Sequence, residues 1–298
     1  MSTNTLTRTR GDVVFDAVNV ALLTIAMLMI LYPLYFVVIA SFSDPDAVAS
    51  GRVVLWPRDI TFDGYRRIIN NRTIWTGYGN TIIYTVVGTA INLATTIPAA
   101  YALSRRDFVG RDFFMMLFAF TMFFAGGLIP LYLLVRSLGM LNTRWAMVLP
   151  NAVLVWNLIV ARTFFQHSIP NELLEAARMD GCTNRRFFVS VVLPLSPALL
   201  AVMVLFYAVG HWNAFFQALV FLRSERLYPL QLVLRDILLA AQAQESMMED
   251  ARAAQEQMRI ADSIRYGSII VASAPVLILY PFLQRYFVQG VMIGAIKG

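Results

Sequence analysis

The chain of 298 residues is 58% hydrophobic and 14% charged, with a net charge of +6 and a mean hydropathy of +0.64. A water-soluble domain of this length cannot bury so much apolar surface, so the composition indicates a membrane protein. The only lysine is Lys297, and it is followed by Gly298. A Walker A loop needs Gly-Lys-Ser/Thr, so we expect that this chain does not hydrolyse ATP.

Several other classes of protein are disfavoured by the residue counts. The arginines form no basic stripe with interleaved aromatics, so we expect no nucleic-acid partner. The single cysteine, Cys182, cannot form an internal disulfide, and two histidines, His167 and His211, argue against a metal site. No nucleophile–base pair or metal cluster is apparent, and an enzyme is therefore not expected.

Six long stretches of the chain contain no Asp, Glu, Lys or Arg: 17–43, 73–104, 113–135, 145–161, 187–222 and 266–284. Most can cross about 30 Å of hydrocarbon at about 1.5 Å per residue, and the shortest, 145–161, can do so if Arg162 reaches the interface. The first stretch is too long for a signal-peptide core, so we expect a retained span. The predicted fold is an all-α membrane protein with six transmembrane helices. The spans are expected at about 17–42, 77–103, 113–135, 145–165, 195–222 and 266–286.

The arginines suggest an orientation in which both termini are cytoplasmic. The short loop 104–111 contains three arginines and is expected inside, while long loops count little in this rule. The membrane domain would then cover 17–292. Residues 1–16 and 287–298 would be cytoplasmic, and residues 43–76 and 223–265 would lie outside.

Both expected external segments have a composition that favours folded structure. Residues 43–76 mix turn signals with aromatics and should be folded. Residues 236–264 are rich in Ala, Gln, Glu and Met and contain neither Gly nor Pro, which favours an exposed helix or helical hairpin. That insert is available to a substrate-delivering protein, or is a solvated helix without a partner.

A polar segment, residues 168–193, interrupts the apolar pattern between the fourth and fifth predicted spans, and we call it the knob. Ser168 and Pro170 are helix start signals, and Asp180-Gly181 is a stop signal, because glycine takes the left-handed conformation readily. Thr183 or Asn184 can then cap a second short helix that ends before Pro194. We predict a cytoplasmic helix-turn-helix.

The fifth predicted span contains a polar and aromatic cluster. Polar side chains at membrane depth face a bundle interior or a pathway. Aromatic rings stack on sugars and amides bind hydroxyls, so a sugar pathway is one interpretation and interhelical hydrogen bonding is the other. The positions 213 and 217 are four apart, and on one helix they would share a face. The cluster is His211, Trp212, Asn213, Phe215, Phe216 and Gln217; weaker candidates of the same kind are Asn92, Thr95, Thr96, Asn151 and Asn157.

The interiors of the predicted spans contain no acidic or basic residue except His211. Ion-coupled carriers generally need such a group to bind or relay the coupling ion, whereas an ATP-driven transporter does not. The pattern therefore favours ATP-driven transport over a secondary carrier.

The knob resembles the EAA loop of ABC-importer permeases. Its pattern is Glu175-Ala-Ala, three residues, Gly181, nine residues, Val191, one residue and Leu193-Pro194. The segments 121–130, 210–213, 228–234 and 284–294 are similar to carbohydrate-importer permeases of the maltose type, in the LplC-like branch. The resemblance covers nearly the whole chain.

This resemblance implies a complete importer in the cell (inner) membrane. Its pore would pair this chain with a second, non-identical permease. Two ATPase subunits would bind ATP and Mg, with no cofactor on this chain, and a solute-binding protein would deliver an oligosaccharide from outside. The tail Ile293–Gly298 would reach toward the ATPase pair. The residues implied in ATPase coupling are Glu175, Ala176, Ala177, Asp180, Gly181, Arg185, Leu193 and Pro194.

The resemblance does not specify which solute is transported. The branch includes importers of acidic sugars, so an acidic oligosaccharide such as alginate oligosaccharide is one expectation. The alternatives are a permease for another solute, such as an amino acid or peptide, and an ion-coupled secondary carrier.

Overall fold

The computed structural model describes residues 10–247 and 264–278, together with Arg259, Asp262 and Pro281. The described residues form helices and loops with no strand among them, which confirms the all-α prediction. A π-helix at Phe188–Val192 and a 3-10 helix at Glu225–Leu227 add to the α-helices. The α-helices are α1 Arg10–Ser41, α2 Pro45–Ala49, α3 Asp63–Asn70, α4 Arg72–Ser104, α5 Arg111–Phe123, α6 Leu128–Ser137, α7 Trp145–Val148, α8 Val155–Ser168, α9 Asn171–Met179, α10 Asn184–Phe187, α11 Pro197–Trp212, α12 Phe216–Phe221, α13 Leu230–Met247 and α14 Ile264–Ile278.

Two helices in the described part of the chain are long and apolar enough to cross a membrane unbroken. These are α1, with 32 residues, and α4, with 33 residues, whereas about 20 apolar residues suffice. They include the predicted spans 17–42 and 77–103. The apolar side chains of α1 are exposed along most of its length, as expected of a helix that faces lipid or another subunit.

Three predicted spans are broken rather than continuous. The helices α5 and α6 meet at a bend of 113°, next to Gly127 with its φ of +85°. The chain leaves helical structure at 149–154, where Pro150 lacks an N–H and disfavours helix at the preceding residue. The expectation that 195–222 is one helix is wrong, because α11 ends at Trp212 and α12 starts at Phe216.

The sixth predicted span and the second insert are described only in part. The helix α14 overlaps the span 266–286 up to Ile278, and α13 includes the beginning of the predicted helical segment 236–264. Residues 248–258, the predicted tail 287–298 and residues 1–9 lie outside the described residues. The six-span count stays a prediction.

The described residues form two compact units. The first contains residues up to Asn70 and from Leu238 to Val271. Its loop between α1 and α3 is folded: the Tyr65 hydroxyl donates to Ser41 Oγ over 2.8 Å, and Arg259 Nη2 lies 2.8 Å from Asp44 Oδ1.

The second unit contains residues 71–237 and the described residues from Ala272 onward. In it, α4 packs along both α8 and α11. The buried core of this packing also includes side chains of the knob, so the knob is anchored to the bundle. Its fully or nearly buried members include Ile97, Ala100, Leu103, Leu158, Ala161, Phe165, Leu174, Phe187, Val192, Met203 and Tyr207.

Candidate functional site

The knob consists of α9, a tight turn, α10 and the π-helix. At the end of α9, the Cys182 N–H donates to the Ala177 carbonyl over 2.8 Å and the Gly181 N–H donates to the Arg178 carbonyl over 3.0 Å. This is the Schellman arrangement, which requires a left-handed residue, and Gly181 has a φ of +71°. Thr183 Oγ1 then accepts from the Arg186 N–H and caps α10.

The knob has a buried side and an exposed side. Leu174 and Phe187 are buried in the core of the second unit, with exposed fractions of 3% and 0%. Because these two side chains hold the knob, the motif residues are left on its surface. The exposed motif residues are Glu175, Ala176, Asp180, Gly181, Arg185 and Pro194, and the half-buried ones are Ala177 and Leu193.

An ionic cluster joins the knob to the loop that follows α4. Asp107 accepts from Arg105 Nε over 3.1 Å and also from Arg178 Nη2 on α9. The Arg105 hydrogen bond, with a further contribution from Arg178, lowers the pKa of the Asp107 carboxyl to about 2 against a partial desolvation that opposes it. Asp107 is therefore ionised at physiological pH. The sequence motif does not include this carboxylate.

The polar residues of α4 and α11 meet in a buried pair. His211 Nε2 lies 2.7 Å from Asn92 Oδ1. Asn92 Nδ2 in turn donates to the carbonyls of Asn151 and Ala152, over 2.6 and 2.9 Å. These carbonyls belong to the non-helical segment 149–154, where they have lost helical partners. His211 and Asn92 thus stabilise a break in the neighbouring span.

The same segment is held by further side chains. Thr95 Oγ1 donates to the Ala152 carbonyl over 2.9 Å, and the Tyr207 hydroxyl accepts from the Leu154 N–H over 3.4 Å while pairing with Thr96 Oγ1 at 2.7 Å. Beside this segment, Gln217 Nε2 donates to the Ala146 carbonyl of α7 over 3.3 Å. Much of the predicted pathway set therefore makes interhelical hydrogen bonds.

Four other candidates have different surroundings. Trp212 is buried and its Nε1 donates to the Ala272 carbonyl over 2.9 Å. Asn157 is buried, and its Nδ2 has no partner among the described residues. Asn213 and Phe216 are exposed. The expectation that positions 213 and 217 share a helical face is wrong, since Asn213 caps the end of α11 and Gln217 lies in α12.

Sequence reasoning missed two participants, Asp107 and Tyr207. Asp107 lies in a short arginine-rich loop, where an acid among basic residues is a weak signal of an ion pair. Tyr207 lies in an apolar run four residues before His211, and this one-turn spacing places both on one side of α11. Within the described ranges no group of His, Cys, Asp and Glu side chains could hold a metal ion.

The chain is similar to several known proteins along nearly its whole length. It is 37% identical over 295 residues to Protein LplC of Bacillus subtilis (strain 168), with 99% of each chain covered. It is also 37% identical over 284 residues to the polygalacturonan/rhamnogalacturonan transport system permease protein YtcP of the same organism. This alignment covers 95% of this chain and 98% of YtcP. No family model matches the chain.

A solved structure shares both sequence and fold with the chain. It is a chain of a bacterial ABC transporter involved in the import of the acidic polysaccharide alginate. The TM-score is 0.82 at 36% identity, and the match covers 95% of this chain and 100% of that chain. With relatives of this identity along almost its full length, the chain belongs to the carbohydrate ABC-transporter permeases of the LplC-like branch.

Proposed function

We propose that this chain is one of two pore-forming subunits of an ATP-driven importer that moves an acidic oligosaccharide across the cell (inner) membrane. The observation that best supports a coupling role is the geometry of the knob. Its motif residues are exposed while Leu174 and Phe187 hold it in the core. A surface anchored in this way can bind a partner and pass the partner's motion to the helices.

The proposed function also includes a membrane topology and a set of partner proteins. Six spans would cross the membrane with both termini and the knob in the cytoplasm, and the segments 43–76 and 223–265 would face outside. Two ATPase subunits would bind ATP and Mg and grip the knob through Glu175, Ala176 and Gly181. Their closure would rock the helices outward, and a docked solute-binding protein would release the sugar into a pore shared with a second, non-identical permease.

We assign the pathway to the exposed polar and aromatic residues rather than to the buried ones. Asn213 and Phe216 lie at the junction of α11 and α12 and are free to contact a solute. His211, Asn92 and Gln217 use their polar atoms within the bundle. An acidic cargo is supported by the alginate importer, whose permease is 36% identical to this chain. Competition of labelled alginate oligosaccharide uptake by neutral and acidic oligosaccharides tests the cargo.

The coupling role is tested by purifying the chain, tagged at its N-terminus, from its native membrane in mild detergent. We expect an ATPase and a second permease to co-purify, and Gly181→Pro to lose the ATPase because proline cannot take a φ of +71°. Ala176→Arg, on the exposed side of α9, should also lose it without changing the turn. Recovery of the chain alone, or as a homodimer without an ATPase, would contradict the proposal.

Gly139 offers a matched control. It ends α6 with a φ of +68°, and the Gly139 and Met140 N–H groups make the same two hydrogen bonds, each of 3.0 Å. Gly139→Pro disrupts an equivalent turn outside the knob. Gly139→Pro should leave the ATPase bound. Loss of the ATPase in Gly181→Pro alone would then result from a change in the knob and not from general misfolding.

A further inference from the structure

The ion pair between Asp107 and Arg178 connects elements that are far apart in the chain. Arg178 lies in the last turn of α9, and Asp107 lies 71 residues earlier, three residues after the end of α4. Both side chains are about half exposed. Exposed ion pairs add little to folding stability, so stabilising the fold is a poor explanation for this contact.

Asp107 is held in place by α4 itself. Its two carboxylate oxygens lie 3.1 Å from Nε and 3.3 Å from Nη2 of Arg105, a two-point contact that fixes the plane of the carboxylate. Arg105 caps the end of α4, with its N–H on the Ala102 carbonyl, and its guanidinium lies 5.8 Å from the ring centroid of Tyr101. Asp107 is thus joined to the last turn of α4.

The same turn of α4 also contacts the second half of the knob. The ring centroid of Tyr101 lies 5.0 Å from that of Phe188, the first residue of the π-helix, and 5.9 Å from that of Phe165 on α8. The loop after α4 therefore contacts α9 through charge, and the last turn of α4 contacts the π-helix through an aromatic pair.

These contacts matter because of how the chain connects the elements. The knob continues directly into α8 on one side and into α11 on the other, so its motion reaches these helices through the backbone. The helix α4 does not adjoin the knob in the chain, because α5 to α8 lie between them, although α4 packs on both α8 and α11. Motion of the knob can reach α4 directly only through side chains.

We propose that Asp107 is a positioning residue that fixes α9 to α4, so that movement of the knob displaces α4 together with α8 and α11. This inference rests on the proposed function, because it assumes that an ATPase moves the knob. It adds a residue outside the recognised motif to the machinery of coupling. Without the ion pair, the ATPase would still dock and hydrolyse ATP, but fewer cycles would open the pore.

The test measures sugar transported per ATP hydrolysed by the purified complex in proteoliposomes. Asp107→Asn and Arg178→Gln should each lower this ratio roughly three- to tenfold, and the double variant should lower it no further. Asp107→Glu keeps the negative charge, and its ratio should lie within about twofold of that of the unmodified complex. A general loss of packing would not be rescued in this way.

Asp63→Asn is the matched control, because Asp63 is an exposed carboxylate paired with Arg66 at 3.9 Å on α3. It should leave the ratio unchanged. An unchanged ratio in Asp107→Asn, or losses that multiply in the double variant, would overturn the inference while leaving the importer assignment intact. Loss of the ATPase from the Asp107→Asn complex would also overturn it, since the residue would then act in docking. Absence of an ATPase from the unmodified complex would instead refute the proposed function.

Discussion

His211 Nε2 lies 2.7 Å from Asn92 Oδ1, and this pair joins α11 to α4 beside the backbone of Gly88. A Cβ atom on Gly88 would lie 2.4 Å from the same histidine nitrogen. The close approach is possible only because residue 88 has no side chain. The pair in turn positions Asn92 to donate to the broken span at 149–154.

Gly88→Ala should therefore displace the histidine and weaken the pair. Overpacking of this kind costs about 1–3 kcal/mol, which would appear as a lower Tm of the detergent-solubilised chain. Gly79→Ala is the control on the same helix, because nothing lies within 4 Å of its added Cβ. It should leave the Tm unchanged or slightly higher. Equal Tm values for the two variants would contradict the described packing.

Asn92→Leu should destabilise the chain by removing the amide that serves two backbone carbonyls. Leaving a buried polar group unsatisfied costs about 1–3 kcal/mol, and these carbonyls are part-buried. Asn213→Leu is a useful comparison, since the Asn213 amide donates only within its own helix, to the Val209 carbonyl over 3.0 Å, and is exposed. We expect Asn92→Leu to lower the Tm more. For Asn213→Leu, we expect a higher KM for sugar uptake at a nearly unchanged Tm.

Two adjacent leucines of α9 test whether the core holds the knob, because one is buried in the core and the other is exposed. Leu174 is 3% exposed and Leu173 is 41% exposed. Leu174→Ala should cost about 2–5 kcal/mol and loosen the knob, as seen in faster proteolysis within 168–193. Leu173→Ala should change the proteolysis rate little. A similar rate for both variants would show that the knob is not held by the core.

The Asp107 ion pair should be insensitive to pH in the physiological range. The pKa of Asp107 is lowered from 3.8 to about 2, chiefly by the Arg105 hydrogen bond. A lowered carboxyl pKa gives stabilisation that is present above the ordinary value and lost as the pH falls through about 2. The loss of coupling in Asp107→Asn should therefore be the same at pH 5.5 and pH 8. If the unmodified complex and Asp107→Asn had the same ratio at pH 5.5 but not at pH 8, Asp107 would already be protonated at pH 5.5, which would contradict its lowered pKa.

The helix bounds of the knob follow from local signals, whereas the contacts that hold it do not. Pro170 precedes α9, Gly181 ends it, and Thr183 caps the next helix, so nearby residues decide these points. The apolar length of α1 and α4 is likewise a local property. The partners of Arg178 and Thr96 lie 71 and 111 residues away, and sequence spacing contains no information about them.

The polar residues of the spans show a second limit. Asn92 and His211 are polar at membrane depth, and their type alone is compatible with a sugar pathway or with hydrogen bonding between helices. The deciding feature is the break at 149–154, which exposes carbonyls beside α4. The error at Asn213 and Gln217 has a similar origin, because helical periodicity predicts a shared face only while the helix continues, and α11 ends at Trp212.

The most direct test of a permease driven through the knob is uptake of labelled alginate oligosaccharide by proteoliposomes that contain the co-purified complex and a solute-binding protein. We predict uptake that requires ATP hydrolysis, survives the collapse of proton and sodium gradients, and is abolished by Ala176→Arg. Uptake that follows an ion gradient without ATP, or that is unchanged in Ala176→Arg, would contradict the account.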